Sequence, residues 1–406
     1  MAKTDENGDH RTAGPVGAGA MLHLIRDGEA VTRAELARRT GLARSTVAQR
    51  VDALIARRLV YEAGGSESTG GRPPTLLAFN HDAGVVLVAD LGATHSRLAV
   101  SDLAANPLAE LAEDIDIALG PERVLDWVHE RFVGLLEKAG RKQADVRGVG
   151  VGVPGPVAFH TGQPVSPPIM PGWDGFSVPD WFADRYDAPV LVDNDVNIMA
   201  LGEHFSHWRE TEHLLFIKIG TGIGCGIVAG GRIHRGAEGA AGDIGHIQVI
   251  GNEDVVCHCG NIGCLEAVAG GGALAARLSD EGVEAHNARD VVKLVRAGDQ
   301  TATRMVRDAG RSLGEVLASC VNFFNPRVIV IGGDLGAAHE QLLAGIRERT
   351  FLRSLPLATG TLRIVPSQLG DRAGVIGAAV LVIEHVLAPD VIDRAIEVGT
   401  AGAPVR

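Results

Sequence analysis

Three cysteines stand within eight residues of this sequence, separated by residues that include two glycines. They are Cys257, Cys259 and Cys264. In a cytoplasmic chain, such a cluster indicates metal binding before a disulfide. Structural zinc takes four protein ligands, and His246 is the best fourth, since His258 lies between two ligands and should point away. We therefore predict a closed, structural zinc site; free thiols in a loop are the alternative.

Two glycine-rich turns have the composition of phosphate-binding loops. Each follows an apolar strand, and a turn of this kind can present backbone N–H groups to an anion. The candidate phosphate-facing residues are Asp90, Gly92, Thr94, Gly220, Thr221, Gly222 and Gly224. An aspartate at the first turn can also hold Mg²⁺ through water. Taken singly, the two turns are equally consistent with an ordinary β-turn and a hairpin turn.

A third polar group stands where an apolar strand gives way to a helix. This is Asp193-Asn194-Asp195, and ligand sites gather at such strand ends in α/β folds. Asp195 can accept a proton from a sugar hydroxyl as a general base, and Asn194 can bond a neighbouring hydroxyl. Helix capping by Asp193 or Asn194 is the alternative interpretation, and both roles can coexist.

A helix-turn-helix pattern occupies the N-terminal part of the chain. A capping box at Thr32–Glu35 opens one helix, Gly41 ends it, and a third helix is predicted over Ala43–Ala56. Two strands, 59–62 and 75–79, then form a predicted wing. The candidate DNA-binding residues are Arg44, Ser45, Thr46, Gln49 and Arg50, with Arg72 in the wing directed at a minor groove. A trihelical protein-interaction domain is the alternative.

Charge is unevenly distributed along the 406 residues. The net charge is −12, yet residues 1–80 carry +2 and the remainder −14, which fits a local DNA contact on an acidic body. No apolar run approaches the length of about 20 residues that spans a bilayer, and residues 1–14 contain no apolar signal segment. We expect a cytoplasmic protein without a membrane contact.

The predicted elements divide the chain into modules. Strands at 85–90, 98–101, 148–153, 190–192 and 328–331, with a strand–turn–strand unit at 214–227, alternate with helices at 121–139, 196–207, 302–322 and 374–386. This alternation predicts two α/β lobes. We expect a disordered N-terminus over 1–20 and a winged helix-turn-helix DNA-binding domain over 21–80. A first α/β lobe is expected over 81–195 plus 385–406, and a second α/β lobe with the zinc-binding loop over 196–384.

These motifs together resemble those of the ROK proteins, a family of repressors, open reading frames and sugar kinases. The resemblance covers about residues 21–390. It rests on Asp90-x-Gly92-x-Thr94, Asn194-Asp195, Gly242-Asp243-Ile-Gly-His246 and Cys257-x-Cys259-Gly-x-x-Gly-Cys264-x-Glu266. The fold it implies is the actin-like ATPase (ribonuclease H-like) fold, with two lobes around a cleft.

The resemblance also implies roles for individual residues. The implied sugar site comprises Asn194, Asp195, Asp243, His246 and Glu266; the implied zinc ligands are His246, Cys257, Cys259 and Cys264. Gly332 and Gly333 resemble the turn beside a nucleotide's adenosine. The chain departs from the kinase pattern at Ala93, His95, Asp243 and Ile169, and these departures weaken the case for ATP use and for a glucose-like ligand.

We therefore predict a sugar-responsive transcription regulator, by default a repressor. It would bind operator DNA as a homodimer or homotetramer, and a sugar or sugar phosphate would bind in the interlobe cleft and alter operator binding. The alternative is an ATP-dependent hexose kinase with an appended DNA-binding domain, in which Asp195 is the catalytic base and ATP and Mg²⁺ are cofactors.

Overall fold

A computed structural model describes residues 16–65 and 75–398, which group into two compact units. The first contains the described residues up to Val85, together with Asp102–Ala104 and the described residues from Ile383 onward. The second contains Val86–Ser101 and Ala105–Val382. Residues 1–15, residues 66–74, which include Arg72, and residues 399–406 lie outside the described residues.

The helices and strands follow the predicted order. The helices are α1 (Ala18–Arg26), α2 (Arg33–Thr40), α3 (Arg44–Ala56), α4 (Pro121–Lys138), α5 (Val178–Ala183), α6 (Asp195–His207), α7 (Leu265–Ala269), α8 (Gly271–Asp280), α9 (Ala288–Arg296), α10 (Gln300–Phe324), α11 (His339–Arg353), α12 (Pro356–Thr359), α13 (Ala373–Val386) and α14 (Pro389–Val398). The strands are β1 (Val60–Gly65), β2 (Thr75–Phe79), β3 (Val85–Leu91), β4 (His95–Asp102), β5 (Pro107–Asp114), β6 (Val146–Val153), β7 (Val157–Ala158), β8 (Gln163–Pro164), β9 (Val190–Asn194), β10 (His213–Ile219), β11 (Ile223–Ala229), β12 (Arg232–Ile233), β13 (Val328–Gly332) and β14 (Arg363–Pro366).

The first unit contains the predicted winged helix. The Thr32 side chain accepts a hydrogen bond from the N–H of Glu35 at 3.1 Å, and the Glu35 carboxylate accepts one from the N–H of Val31 at 2.9 Å. Gly41 ends α2 with φ +71°, a conformation that glycine adopts without steric cost. Strands β1 and β2 pair antiparallel. The predicted capping, turn and hairpin are confirmed.

Two features of this unit differ from the sequence-based expectation. Helix α1 begins at Ala18, inside the stretch predicted to be disordered, because small residues there pack closely: a side chain on Gly19 would collide with Pro389. Residues 385–406 were predicted to belong to the first α/β lobe, yet α14 packs on α1 within the first unit.

The second unit is built from two sheets of the same design. Their strand orders are β5-β4-β3-β6-β9 and β12-β11-β10-β13-β14. Counted within each sheet, both orders read 3-2-1-4-5, with an antiparallel hairpin on one side and parallel strands on the other. This repeated arrangement is the two-lobed, ribonuclease H-like α/β fold that the motifs implied.

Helices separate and flank the two sheets. Met199 and Ala200 of α6 pack against Leu214 and Phe216 of β10, while α10 and α11 cover the opposite face of the second sheet. Helix α13 lies against the first sheet, since the carbonyl of Ala378 approaches the backbone of β6 at Gly150 too closely for a side chain there. The predicted lobe boundaries had grouped α13 with the second lobe.

Among the described residues, no single helix is both long and apolar enough to cross a membrane. The one bent pair that meets both criteria consists of Gly370–Val386 and Pro389–Val398.

Candidate functional site

A cleft of about 1050 Å³ lies between the two sheets of the second unit. Its walls include the predicted phosphate residues Asp90, Gly92, Thr94, Gly220, Thr221, Gly222, Gly224 and Gly333. They also include the predicted sugar-site residues Asn194, Asp195, Asp243, His246 and Glu266. Gly332 lies one residue behind the wall, buried at the end of β13. The fold thus brings residues far apart in sequence to a single cleft.

Asn194 and Asp195 stand where β9 becomes α6. The Asn194 side-chain oxygen accepts hydrogen bonds from the N–H groups of Val196 at 2.9 Å and Asn197 at 3.4 Å, and its amide donates to the carbonyl of Gly155 at 3.0 Å. Asn194 is therefore the helix cap that the sequence left as an alternative. Asp195 begins the helix, where a carboxylate is favoured by the helix dipole, and its side chain is only 3% exposed.

Lys218 is a cleft residue that the sequence reasoning missed. Its ammonium group forms an ion pair with the Asp195 carboxylate. Burial alone would lower the pKa of Lys218, but Asp195 and Asp90 outweigh it and raise that pKa above its ordinary value. The available signal was a single cation inside the apolar strand His213–Ile219.

Asp90 occupies the floor of the cleft beside these two groups. Burial, followed by the negative charge of Asp195, raises the pKa of Asp90 to about 7, while Lys218 and Arg97 act in the opposite direction. Near neutral pH, Asp90 is therefore poised between its neutral and charged forms. The cleft floor thus holds the carboxyl groups of Asp90 and Asp195 and the ammonium group of Lys218.

Asp193 does not line the cleft; its carboxylate is engaged by neighbouring side chains. Arg235 donates to Asp193 through Nε at 2.8 Å and through a terminal nitrogen at 2.6 Å, and its guanidinium stacks on the Phe159 ring at 3.7 Å. The Asn197 amide donates to the same carboxylate at 2.9 Å. These bonds hold the end of β9 in place and thereby position Asp195.

Several N–H groups of the glycine turns are already engaged within the protein. Gly92 N–H donates to the carbonyl of His95 at 2.9 Å, and Ile223 N–H donates to the Glu266 carboxylate at 3.0 Å. Glu266 lies so close that a side chain on Gly222 would collide with it. Glu266 thus ties the second turn to helix α7.

The four predicted zinc ligands converge. The ligand atoms of His246, Cys257, Cys259 and Cys264 all lie within 4.8 Å of one another. The Cys259 and Cys264 sulfurs are 3.7 Å apart, and so are the Cys257 sulfur and His246 Nδ1. A tetrahedron with bonds of about 2.3 Å places sulfur atoms roughly 3.8 Å apart, so the donor set fits zinc.

The histidine of this group faces two ways. Nδ1 of His246 points to the sulfurs, while Nε2 lies 3.9 Å from Asp243 in the cleft wall. The backbone N–H of Asn261 lowers the pKa of Cys259 to about 7, whereas burial and then the neighbouring sulfurs raise the pKa of Cys264 to about 12. Of these two thiols, Cys259 therefore loses its proton first. His258 is not part of the group, as expected, but it lines the cleft.

Helix α3 presents the predicted DNA-contacting face. Val47, Val51 and Leu54 are buried, whereas Arg44, Ser45 and Gln49 are exposed and Thr46 is half-buried. Arg50 differs from its neighbours, because its guanidinium donates to the backbone carbonyl of Val16. Its predicted contact with DNA therefore competes with a contact inside the protein.

Comparisons with known proteins cover nearly the whole chain. The ROK family model matches residues 86–385, and the MarR family model matches residues 17–70. A putative xylose repressor from Caldicellulosiruptor sp. (strain Rt8B.4) is 32% identical over 398 residues, covering 94% of this chain and 99% of the relative.

Two solved structures are similar to this chain in fold. A ROK family transcriptional regulator, described as a homologue of the E. coli MLC protein, has 27% identity and a TM-score of 0.80 and covers 95% of this chain and 99% of its own. A ROK family glucokinase from Streptomyces griseus, in complex with glucose and AMPPNP, has 28% identity and a TM-score of 0.63 and covers 74% and 99%.

Proposed function

The chain belongs to the ROK family, and from this premise we propose that it is a sugar-responsive transcriptional repressor. One observation carries the proposal: the same chain has a helix, α3, with an exposed polar face and a cleft lined by carboxylate and histidine side chains that can bind sugar hydroxyls. The relatives named xylose repressor and N-acetylglucosamine repressor support this assignment.

Helix α3 is the proposed reader of operator DNA. Arg44, Ser45 and Gln49 are exposed on it, and side chains of these types reach phosphates and base edges in a major groove. Thr46 lies beside them, and Arg72, which is outside the described residues, is proposed to enter the adjacent minor groove. Arg50 is proposed to orient α3 through its bond to Val16 and to contact DNA only when that bond opens.

A carbohydrate is the proposed ligand of the cleft. Asp195 and Asp243 can accept hydrogen bonds from sugar hydroxyls, and His246 Nε2 and Glu266 extend the same polar wall. Asn194 is proposed to act chiefly by holding the helix start, since its side chain is already engaged.

Zinc is the proposed structural metal of the cysteine loop. His246, Cys257, Cys259 and Cys264 would hold it, and four protein ligands leave no open position for catalysis. When bound, zinc supplies a rigid crosslink. The chain would use this crosslink to fix His246 and, two residues after Cys264, Glu266 at the cleft.

Sugar binding and operator binding are proposed to be reciprocally linked. A sugar that binds better to the form with low DNA affinity weakens operator binding by the same factor by which the operator weakens sugar binding. A homodimer or homotetramer is proposed as the DNA-binding species, because operator half-sites match two-fold protein symmetry. The proposed location is the cytoplasm.

An operator titration tests this function. The full-length protein is titrated onto DNA from its own promoter region, alone and with each member of a panel that includes xylose, glucose, N-acetylglucosamine and the 6-phosphates of glucose and N-acetylglucosamine. We expect at least one sugar to weaken operator binding by roughly five- to 150-fold, the usual range of allosteric coupling. Absence of operator binding under every condition would refute the proposal.

Matched variants separate a DNA contact from general loss of charge. Arg44→Ala removes an exposed cation of α3 and should weaken operator binding by about 1–3 kcal/mol if it reaches a base edge. Arg394→Ala removes a cation of α14 that is 70% exposed, and it should leave operator binding within about 0.5 kcal/mol.

A further inference from the structure

The position of Lys218 follows from the alternation of strand β10. Leu214 and Phe216 point to the face covered by α6, and so, two residues on, does Lys218. Its two cross-strand neighbours are Gly224 and Gly332, so no side chain on the adjacent strands stands beside it. The lysine is thereby directed towards the first residue of α6.

The surroundings of the Lys218 ammonium are acidic. It is paired with Asp195, and its positive charge also acts on Asp90, where it offsets part of the rise in pKa that burial and Asp195 cause. Its aliphatic stem passes along the second glycine turn, with Cε 3.6 Å from where a side chain on Gly220 would begin. A cation of this chain thus sits among the two carboxyl groups and the turn where phosphoryl transfer would take place.

Phosphoryl transfer from ATP requires a divalent cation near the phosphates and a base free to accept the substrate's proton. The residues present do not fit this requirement. The Asp195 carboxylate is bound by the Lys218 ammonium, and a divalent cation placed beside Asp90 and Asp195 would be repelled by that ammonium. The N–H groups of Gly92 and Ile223 are also committed within the protein.

We propose that Lys218 is the built-in cation of this cleft, taking the place of a divalent metal beside Asp90 and Asp195. The cleft then needs neither metal nor nucleotide, and the Asp195 carboxylate, paired with Lys218, accepts hydrogen bonds from hydroxyl groups of an uncharged sugar. This last step rests on the proposed sugar-binding function, whereas exclusion of the metal does not.

The test uses Mn²⁺ alone as the probe, with zinc-loaded full-length protein and binding followed by electron paramagnetic resonance. Wild-type protein should bind no Mn²⁺ in the cleft. Lys218→Met removes the cation that pairs with Asp195 and should create a Mn²⁺ site beside Asp90 and Asp195 that the wild type lacks. Lys218→Arg keeps the charge and should behave as wild type.

A double variant assigns the bound ion to the cleft. Lys218→Met combined with Asp195→Asn should lose the Mn²⁺ gained by the single variant, whereas an ion held elsewhere, including at the cysteine loop, would remain. Thermal unfolding gives a second measurement: Mn²⁺ should raise the Tm of Lys218→Met and leave that of wild type unchanged, because only the variant binds the ion in its folded state.

Three outcomes would overturn the proposal. The first is Mn²⁺ binding to wild-type protein that Asp195→Asn abolishes. The second is folded Lys218→Met that binds no Mn²⁺. The third, which stands even if Lys218→Met does not fold, is Asp195-dependent release of ADP by wild-type protein from Mg²⁺-ATP and hexoses. None of these measurements uses operator DNA, so a failure here is distinct from failure of the repressor function.

Discussion

At the residue scale, the cleft floor is organised by charge compensation. Asp90 and Asp195 are both carboxyl groups in a poorly hydrated place, and one lysine neutralises only one of them. A buried ion pair is costly to break, because the remaining partner would be left charged and unpaired. Burial and the negative charge of Asp195 raise the pKa of Asp90 to about 7, so near neutral pH Asp90 is neutral for part of the time.

This compensation predicts a pH dependence of stability that Asp90→Asn removes. The folded protein holds the Asp90 proton with a pKa of about 7, against 3.8 for an ordinary aspartate. The contribution of that proton to the free energy of unfolding is fully present below about pH 4, falls as pH rises, and is lost as pH rises through about 7. Asparagine cannot lose a proton, so the variant should lack this decline.

Thermal unfolding across that pH range measures the effect. The groups that face Asp90 are Asp195, Lys218, Arg97 and Asp371, and none of them is altered by the substitution. Asp390→Asn, at an aspartate that is 71% exposed, is the control and should keep the wild-type profile. An identical decline in wild type and Asp90→Asn would show that Asp90 does not hold the proton.

At the element scale, helix ends depend on both local and distant caps. Thr32 caps α2 and Asn194 caps α6, each from the adjoining residue. Helix α1 is different, because its N-cap, Gly17, has no side chain. Asp393 of α14 supplies the missing acceptor: its carboxylate accepts a hydrogen bond from the N–H of Gly19 at 2.9 Å.

We therefore expect Asp393→Ala to destabilise the DNA-binding unit. Loss of a carboxylate cap at a helix N-terminus costs about 1 kcal/mol. Two further bonds lie in the same unit: the Arg57 guanidinium, at the end of α3, donates to the carbonyl of Ala395 in α14 at 2.6 Å, and the Arg26 guanidinium of α1 donates to the Glu384 carboxylate of α13 at 2.8 Å. Operator affinity should fall with the stability of this unit.

Chemical denaturation, with the winged-helix signal followed separately, measures this change. Asp390→Ala alters the same helix at an exposed carboxylate that accepts a hydrogen bond from Arg394, and should cost no more than about 0.5 kcal/mol. Equal stability of the two variants would mean that the capping bond contributes nothing.

At the scale of the whole molecule, the first unit is assembled from three separate stretches of the chain, whereas the sequence predicted one continuous N-terminal domain. The division falls inside α13, after Val382, and α14 belongs with α1 and α3. Zinc is proposed to stiffen the cleft wall through His246 and Glu266. Because sugar binding in the second unit is proposed to be linked to operator binding by the first, we expect loss of zinc from the cysteine loop to change the effect of sugar on operator affinity.

Cys259→Ser tests this connection. Removing one of four ligands should release zinc, loosen the loop and shrink the sugar-induced change in operator affinity, with little effect on operator binding without sugar. The measurement is the ratio of operator Kd values with and without the effective sugar. Cys320→Ser, at a cysteine of α10 outside the group, is the control. A full sugar response in zinc-free protein would contradict the coupling.

The sequence by itself determined the features that depend on neighbouring residues. The capping box at Thr32, the turn at Gly41 and the β1–β2 hairpin follow from spacings of a few residues, and the cysteine spacing likewise placed three of the four converging metal ligands. Such patterns are readable because the interacting groups are held close by the backbone geometry of a single element.

Only the tertiary structure decided which partners the charged side chains find in distant parts of the chain. It paired Lys218 with Asp195, turned Arg50 towards Val16 and brought Asp393 to the start of α1. In each case the partners come from different elements, and the pairing depends on how sheets and helices pack around a common core. A sequence pattern states which side chains can pair; the packing of the elements selects the pairs that form.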